Sequence, residues 1–598
     1  MRNRIITADV GSTTTKAVLF ERGKEGWRVL GKAVAPTTVE APDLDVMIGL
    51  RNALAKLERR TGRRLLDGSR LILPSHHEDG TDVFVATSSA GGGLQMLVTG
   101  LVKTMTAESA HRAALGAGAI VSDILSLDDN RVLMERIDII RKVRPDMILV
   151  TGGTDGGNIS DVAAMAEYIA MANPEARFGK DFKIPVIYAG NLDARGYVEE
   201  AIGDALDLSV TDNIRPSLET EVLGPAREEI HRLFLEHVMM RAPGYKTLAS
   251  WAGGKIKPTP VAVGDVLTRL AKARGLDVLG VDVGGATTDV FSVISGQFFR
   301  TVSANLGMSY SLANVFAEAK VESVLRWIPW ETDENSVRNW GFNKMIRPTT
   351  LPQTMRDLVF EQAVAREALR LSLDHHCSLI RGLKGIQQKR EVGDVFNQLG
   401  TGATLVDLMK TGLIIGSGGV LSYAPRRAQA ALMMMDALQP LGITELAVDS
   451  QFLLPHLGVL MDSEPETVNE LMSAEALVEL GTVIAPSGHS SQPGSSIARV
   501  EMEESSYAIE AGEIRVIPLP PKTTAPVTVV PKRGFDVGNG PGRPVTANVS
   551  GGIVGLILDG RGRPLSLPED NRRRVMALKR WAKAMDAYPE SMFADSLS

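Results

Sequence analysis

The sequence predicts an α/β protein built from two related domains, and three observations carry that prediction. An apolar strand running into a glycine turn, GVDVGGATTDVF from Gly280 to Phe291, recurs in outline as ADVGSTTTKAVLF from Ala8 to Phe20. Asp9-Val10-Gly11 aligns with Asp282-Val283-Gly284, and Thr14-Thr15 with Thr287-Thr288, while Lys16 stands where the second copy has Asp289. Elsewhere, apolar runs of strand length alternate with stretches of helical periodicity, as βαβ units do. The 598 residues exceed what one core supports, so roughly two to four domains are expected.

Each repeated stretch reads as a β-hairpin whose tight turn leaves backbone N–H groups and hydroxyls available. Unpaired amides make an anion-binding nest, and glycine lets the backbone come close to a phosphate. Taken as a pair, the hairpins resemble the phosphate-one and phosphate-two loops of the actin, sugar-kinase and heat-shock-chaperone ATPase superfamily. The fold so implied is a pair of duplicated actin-like (ribonuclease H-like) ATPase domains, with an insertion in the first half and a β-rich C-terminal segment. The resemblance implies that Gly11, Ser12, Thr13 and Thr14, and in the second copy Gly284, Gly285, Thr287 and Thr288, hold the phosphates of ATP, with Lys16 as counter-charge. Asp9 and Asp282 at the strand ends would hold Mg²⁺ through its waters, because this hard ion dehydrates reluctantly; the bland alternative is that each caps its own turn. Asp289 is a further candidate catalytic residue, orienting water. No Walker P-loop is present.

Taken in order, WRVLGKAVAPTTV after the first hairpin is a third strand, and Val46, Leu50, Leu54 and Leu57 mark an amphipathic helix ending near Gly62. A strand is expected from Asp82 to Ala86, with His76 and His77 in the preceding loop and more plausibly solvated than ligating. Residues 1–94 thus form a first ATPase subdomain. Residues 95–253 read as an α/β segment, either part of that domain or an inserted module. Within it, TGGTDGGN from Thr151 to Asn158 follows a strand. Its Asp155 is a candidate metal or nucleotide contact, and a tight βα turn is the equal alternative.

Residues 254–486 read as the second ATPase domain. Trp327, Trp330 and Trp340 cluster in a stretch that suits either a lid or partner surface, or aromatic packing under a loop, the latter favoured. His375, His376 and Cys377 are consecutive on a long helix, so they diverge and cannot share a metal. An apolar strand from Leu413 then runs into Gly416-Ser417-Gly418-Gly419, which in the resembled superfamily lies against the adenosine. FLLPHLGVL, Phe452 to Leu460, leads back towards the first domain. Residues 487–598 form a β-rich region that starts with the linker-like SGHSSQPGSS and ends in a helix. That helix carries Arg572 to Arg574, Lys579 and Arg580 as a solvated basic face.

The net charge of −6 argues against nucleic-acid binding. One cysteine excludes an internal disulfide framework and a cysteine-paired zinc or iron–sulfur site. The opening MRNRIITADVG leaves no room for a signal peptide, and no apolar run approaches the ~20 residues that span a bilayer, so a cytoplasmic protein without a membrane partner is expected.

As a whole the sequence resembles the MutL-type accessory proteins of adenosylcobalamin-dependent glutamate mutase and related aminomutases. The resemblance is carried by DVGSTTTKAVLF, LVTGGTDGGN, VDVGGATTDVFSV, IIGSGGVLS and VSGGIVGLILDGRGRPL. It implies a chaperone-like ATPase, slow without its partner, that uses ATP and Mg²⁺ to open a mutase and release damaged cobalamin. It implies mutase subunits as partners without direct cobalamin binding, consistent with the absence of D-x-H-x-x-G, and a homo-oligomer is compatible with it. The activators of 2-hydroxyacyl-CoA dehydratases fit poorly, because they need two cysteines per subunit. A small-molecule kinase of the same fold and a non-hydrolysing nucleotide-binding scaffold are the alternatives.

Overall fold

The computed structural model describes the chain except residues 1, 12–13, 40–42, 90–93, 176–182, 204, 235, 237–242, 255, 304, 382–403, 473–475, 491, 504 and 595–598. The chain divides into two compact units. The first comprises Met1–Val266, Leu379–Thr404 and Leu454–Glu475; the second comprises Leu267–Ser378, Leu405–Leu453 and Ala476–Ser598.

In the first unit, β1 (Arg4–Val10), β2 (Thr14–Gly23) and β3 (Gly26–Pro36) form an antiparallel meander. Every residue of β1 is buried, as its apolar run requires of a central strand. The helix Val46–Thr61 lays Val46, Leu50, Leu54 and Leu57 into the core, with Asp45 capping its start by accepting from Met47 N–H. After the small hairpin of β4 (Leu66–Asp67) and β5 (Arg70–Leu71), β6 (Val83–Ser88) pairs in parallel with β1.

The chain then leaves this sheet. β7 (Gln95–Gly100), β8 (Ile120–Ser126), β9 (Met147–Val150), β10 (Pro185–Tyr188) and β11 (Asp207–Val210) build a second, wholly parallel sheet in the order β11-β10-β9-β7-β8. It has its own core, where Leu97, Ile148 and Val186 meet Val162, Met165 and Ile169 of the helix Ser160–Ala172. Only with β12 (Ile256–Pro258), beside β6, is the first sheet complete as β12-β6-β1-β2-β3. Residues 95–253 therefore sit between two neighbouring strands of one sheet. The first unit also extends past 254, to Val266, because β12 belongs to it.

The second unit repeats the scheme. β13 (Asp277–Val283), β14 (Thr288–Ile294) and β15 (Gln297–Ser303) are an antiparallel meander, and β16 (Thr411–Gly418) and β17 (Gly442–Val448) add in parallel on the other side of β13. The order β15-β14-β13-β16-β17 matches β3-β2-β1-β6-β12 strand for strand, in position and sense. Two sheets of this order are the duplicated ribonuclease H-like scheme, so the fold class is the one expected.

The tail is β-rich, as expected, and part of it joins the second unit's sheet. β18 (Val478–Ala485), β24 (Gly555–Asp559) and β21 (Ile514–Ile517) extend the second unit's sheet to eight strands. β19 (Ser496–Met502), β20 (Ser505–Glu510), β22 (Thr524–Pro531) and β23 (Val545–Ser550) make a four-stranded antiparallel sheet beside it. SGHSSQPGSS is not a linker: Ser487 exchanges backbone hydrogen bonds with Asp536. What anchors the tail is a buried chain of charges. Arg366 Nε donates to Asp436 Oδ2 (2.6 Å), Arg561 Nη1 to Asp436 Oδ1 (2.6 Å), and Arg561 Nη2 (2.9 Å) and Arg563 Nη2 (2.5 Å) both reach Asp559 Oδ2.

Trp330 and Trp340 pack against Phe360 at 6.3 and 6.2 Å, and Trp327 is buried with its indole N–H on Glu367. The aromatic cluster is packing. Arg572 and Arg573 are exposed, as a solvated helix face requires. Among the described residues no helix is long and apolar enough to cross a membrane.

Candidate functional site

The two hairpins close alike. Gly11 N–H donates to the Thr14 carbonyl at 3.0 Å, and Gly284 N–H to the Thr287 carbonyl at 2.9 Å. A Cβ on Gly11 would lie 2.9 Å from Thr14 O, which would force the turn to shift, and one on Gly284 would crowd Thr287 O at 3.0 Å, so both turns favour glycine. Ser12 and Thr13 lie outside the described residues.

Register places the charged residues. Asp9 lies opposite Lys16 across β1 and β2, and Lys16 Nζ donates to Asp9 Oδ2 at 3.2 Å. The other carboxylate oxygen accepts from Thr87 Oγ1 (2.9 Å) and Thr259 Oγ1 (2.8 Å). Burial pushes the Asp9 carboxyl towards its neutral form, but the Lys16 ammonium and the two threonine bonds outweigh it and hold the pKa below the ordinary value. The carboxylate is thus kept charged and fixed in direction.

In the second hairpin Asp282 faces Asp289 across β13 and β14, a like-charged pair that needs a cation. Arg300 supplies it: Nη2 lies 2.6 Å and Nε 2.8 Å from Asp289 Oδ1. The residue expected to orient water is therefore held in a nearly buried ion pair, while Asp282 stands at the strand end beside the turn.

The remaining expected residues divide by where they face. Thr287 and Gly285 lie on the accessible turn, whereas Thr288 is buried and donates its hydroxyl to the Leu306 carbonyl at 2.5 Å. The segment from Leu306 to Ser311 braces the turn from behind: Ser309 and Tyr310 N–H both donate to Gly285 O at 2.9 Å. Ser417 lies opposite Asp282 and Gly418 opposite Val283 in the β13–β16 ladder. Gly418 has φ 96°, and a Cβ there would stand 2.2 Å from Val283 O, so no other residue fits the approach. Gly416 packs inward against Leu421 and Met434, while a Cβ on Gly419 would meet nothing.

Asp155 belongs to the second sheet of the first unit, not to the sheet that carries Asp9. Its Oδ1 accepts from Leu192 N–H (3.0 Å) and Asn213 Nδ2 (2.8 Å), the work of a turn-capping side chain. Among the described residues no group of three or more His, Cys, Asp or Glu side chains could hold a metal. That donor set does not suit an all-protein cage.

Sequence reasoning missed Thr87, Thr259, Arg300 and His456. His456, on the helix Leu454–Leu460, has Nδ1 2.8 Å from Thr7 Oγ1, and burial pushes its pKa down to about 4. In the second unit His376 is similarly enclosed between Ser292 and Thr301, with its pKa pushed down to about 3. No local signal could reveal these pairings, since Thr259 lies 250 positions and His456 449 positions from their partners.

Both imidazoles fold neutral, whereas unfolded histidine takes up its proton near 6.5. Below that pH the unfolded chain binds more protons, so stability falls as pH falls. Ordinary carboxylates stay ionised between pH 7 and 5, so each histidine is expected to withdraw roughly 2 kcal/mol over that interval. Urea unfolding of His456→Gln and His376→Gln at the two pH values should show a flatter dependence than the parent, and equal slopes would refute it.

The fold and the paired turns define an α/β protein of the duplicated actin-like fold, with a glycine-turn hairpin in each unit. A protein-family model described as MutL protein matches residues 5–476. The chain belongs to the MutL protein family. It is 30% identical over 492 residues to Protein MutL of Clostridium tetanomorphum, covering 78% of this chain and 97% of that one. Among solved structures it is similar to a nucleotide-free acetone carboxylase at 12% identity, covering 86% of this chain and 81% of that one with a TM-score of 0.32. A nucleotide-free diol dehydratase-reactivating factor is 11% identical, covering 77% and 99%, with a TM-score of 0.30.

Proposed function

We propose that this protein is a chaperone-like ATPase that reactivates or assembles an adenosylcobalamin-dependent mutase of the glutamate mutase or aminomutase type, releasing damaged cobalamin at the expense of ATP. The observation that carries the reading is the matched pair of hairpins, alike in turn geometry and in strand-end aspartate, in a chain of the MutL family. With the Gly11 and Gly284 amides closing the turns, the amides after them, up to Thr14 and Thr287, would take the phosphates, and Lys16 would neutralise charge. Asp9 and Asp282 are the carboxylates that would hold Mg²⁺, which would supply positive charge against that of the phosphates. Phosphoryl transfer asks for little beyond such positioning.

For turnover to act on a mutase, the mutase must bind the ATP and ADP states with different affinity. A slow basal ATPase, accelerated by the partner, follows from that coupling.

The test is Mg-ATP hydrolysis by the purified protein, alone and with a candidate mutase inactivated by hydroxocobalamin, scoring ATP turnover and returning mutase activity together. Recovery should require ATP and vanish in Asp282→Ala. Steady hydrolysis without recovery of any mutase tried would remove the reactivase reading and favour a kinase of the same fold.

A further inference from the structure

A groove in the second unit has no part in the site described above. Two cavities of about 630 and 370 Å³ meet at Glu322, which lines both. The smaller lies where the helices Leu312–Ala319, Val321–Leu325 and Glu334–Ile346 come together, with Phe316, Val321 and Phe342 as its walls. A Cβ on Gly341 would stand 2.4 Å from the Phe316 ring, so the third helix crosses that ring with no side chain between. The larger cavity continues past Leu325 and the partly buried Trp330 to the start of the helix Asn571–Ala584. Apolar surface is left over on this face: Phe342 is 46% exposed, and Ile346, one turn further along the same helix, is 77% exposed. Large apolar groups side by side at a surface mark a contact site, which single ones do not.

Charge is unequal along the groove. The end beside Trp330 is lined by three carboxylates, Glu322, Glu331 and Asp333, and by one guanidinium, Arg574, which leaves two negative charges. Asp333 accepts from the Ser336 hydroxyl and N–H, which hold its pKa below the ordinary value, and Glu331 accepts from Asn571 Nδ2 at 3.3 Å. Both are hydrogen bonds that leave the carboxylate charged. Arg572 and Arg573 line neither cavity. The three carboxylates are also too spread to share a metal, since no group of three acids among the described residues could hold one. At the apolar end Arg338 is answered by Glu334 at 2.5 Å, and Lys320 adds one positive charge.

We propose that this groove docks a segment of the mutase in which a lysine or arginine neighbours a large apolar side chain. The apolar group lies against Phe316 and Phe342, and the basic group among Glu322, Glu331 and Asp333. Charge complementarity selects this occupant: a wholly apolar segment would cover the carboxylates without a counter-charge, and an acidic one would be repelled. The inference rests on the reactivase reading for the identity of the partner, and on the groove for the chemistry of its segment.

The test measures the affinity of the full chain for the inactivated mutase by calorimetry, with Mg-ATP present. Phe342→Ser, and the pair Glu322→Lys with Glu331→Lys, should each weaken the complex about tenfold or more, the order expected for an aromatic anchor or a reversed charge at an interface. Phe342→Leu should keep most of the affinity, and added salt should weaken the parent complex more than that of the charge-reversed pair. Unfolding midpoints and basal ATP hydrolysis equal to the parent's certify each variant, since none of these residues belongs to the hairpins. Overlapping peptides of the mutase subunits then identify the docked segment. A complex of parental strength in both disruptive variants, or a docked segment without lysine or arginine, would overturn the proposal and leave the reactivase reading standing. Absence of any complex with the parent would remove both.

Discussion

Replacing Asp559 by alanine is expected to destabilise the second unit by about 3–5 kcal/mol, because it strands buried arginines without a counter-charge. Asp559 is 1% exposed and answers both Arg561 and Arg563, and Arg561 is itself fully buried over the Trp581 ring. Burial alone would neutralise the carboxyl, yet the two guanidiniums hold its pKa far below the ordinary range, which shows which effect wins. The loss is a large share of the ~5–15 kcal/mol by which domains are stable. Urea unfolding followed by tryptophan fluorescence would measure it. The network's own net value is a separate quantity. Replacing Asp559, Arg561 and Arg563 together by leucine, methionine and methionine should recover most of the loss, as buried ion pairs often exchange for apolar groups at little cost. An Asp559→Ala protein as stable as the parent would show that the tail is anchored by its strands alone.

Asp9→Asn is expected to lower ATP turnover by about 10²–10³-fold while leaving the fold intact. The amide keeps an oxygen for Thr87 and Thr259, so the strand end stays in place. It removes the charge that Lys16 answers and that the proposed Mg²⁺ would need, and only that. Steady-state hydrolysis gives the effect, and a thermal unfolding curve within about 1 kcal/mol of the parent separates it from unfolding. The complementary variant Lys16→Met should weaken nucleotide binding more than Asp9→Asn does, because it removes the counter-charge from the phosphates. Full turnover in Asp9→Asn would leave Asp9 as a turn cap and nothing more.

The two hairpins were legible in the sequence because their determinants are local. A glycine that must sit within 3 Å of a carbonyl three residues on, a strand-end aspartate and the threonines after it all lie inside one short window. Hairpin register then pairs Asp9 with Lys16 and Asp282 with Asp289 without further information. The duplication was legible for the same reason, and so was the strand-and-helix class, which period sets.

Only the tertiary structure decided the rest. That Asp289 is bound by Arg300 depends on a third strand. That Asp9 is fixed by Thr87 and Thr259 depends on two parallel strands separated by a whole inserted sheet. Parallel neighbours and returning segments are chosen by burial over hundreds of residues, which no local pattern encodes. The tail shows the point most plainly. Its composition reads as a β-rich region behind a linker-like start, yet two of its strands, β21 and β24, join the second unit's sheet, and its Arg561 answers Asp436 in the core. Composition reports what a segment can form by itself; the partner that makes it integral is supplied only when the chain has folded.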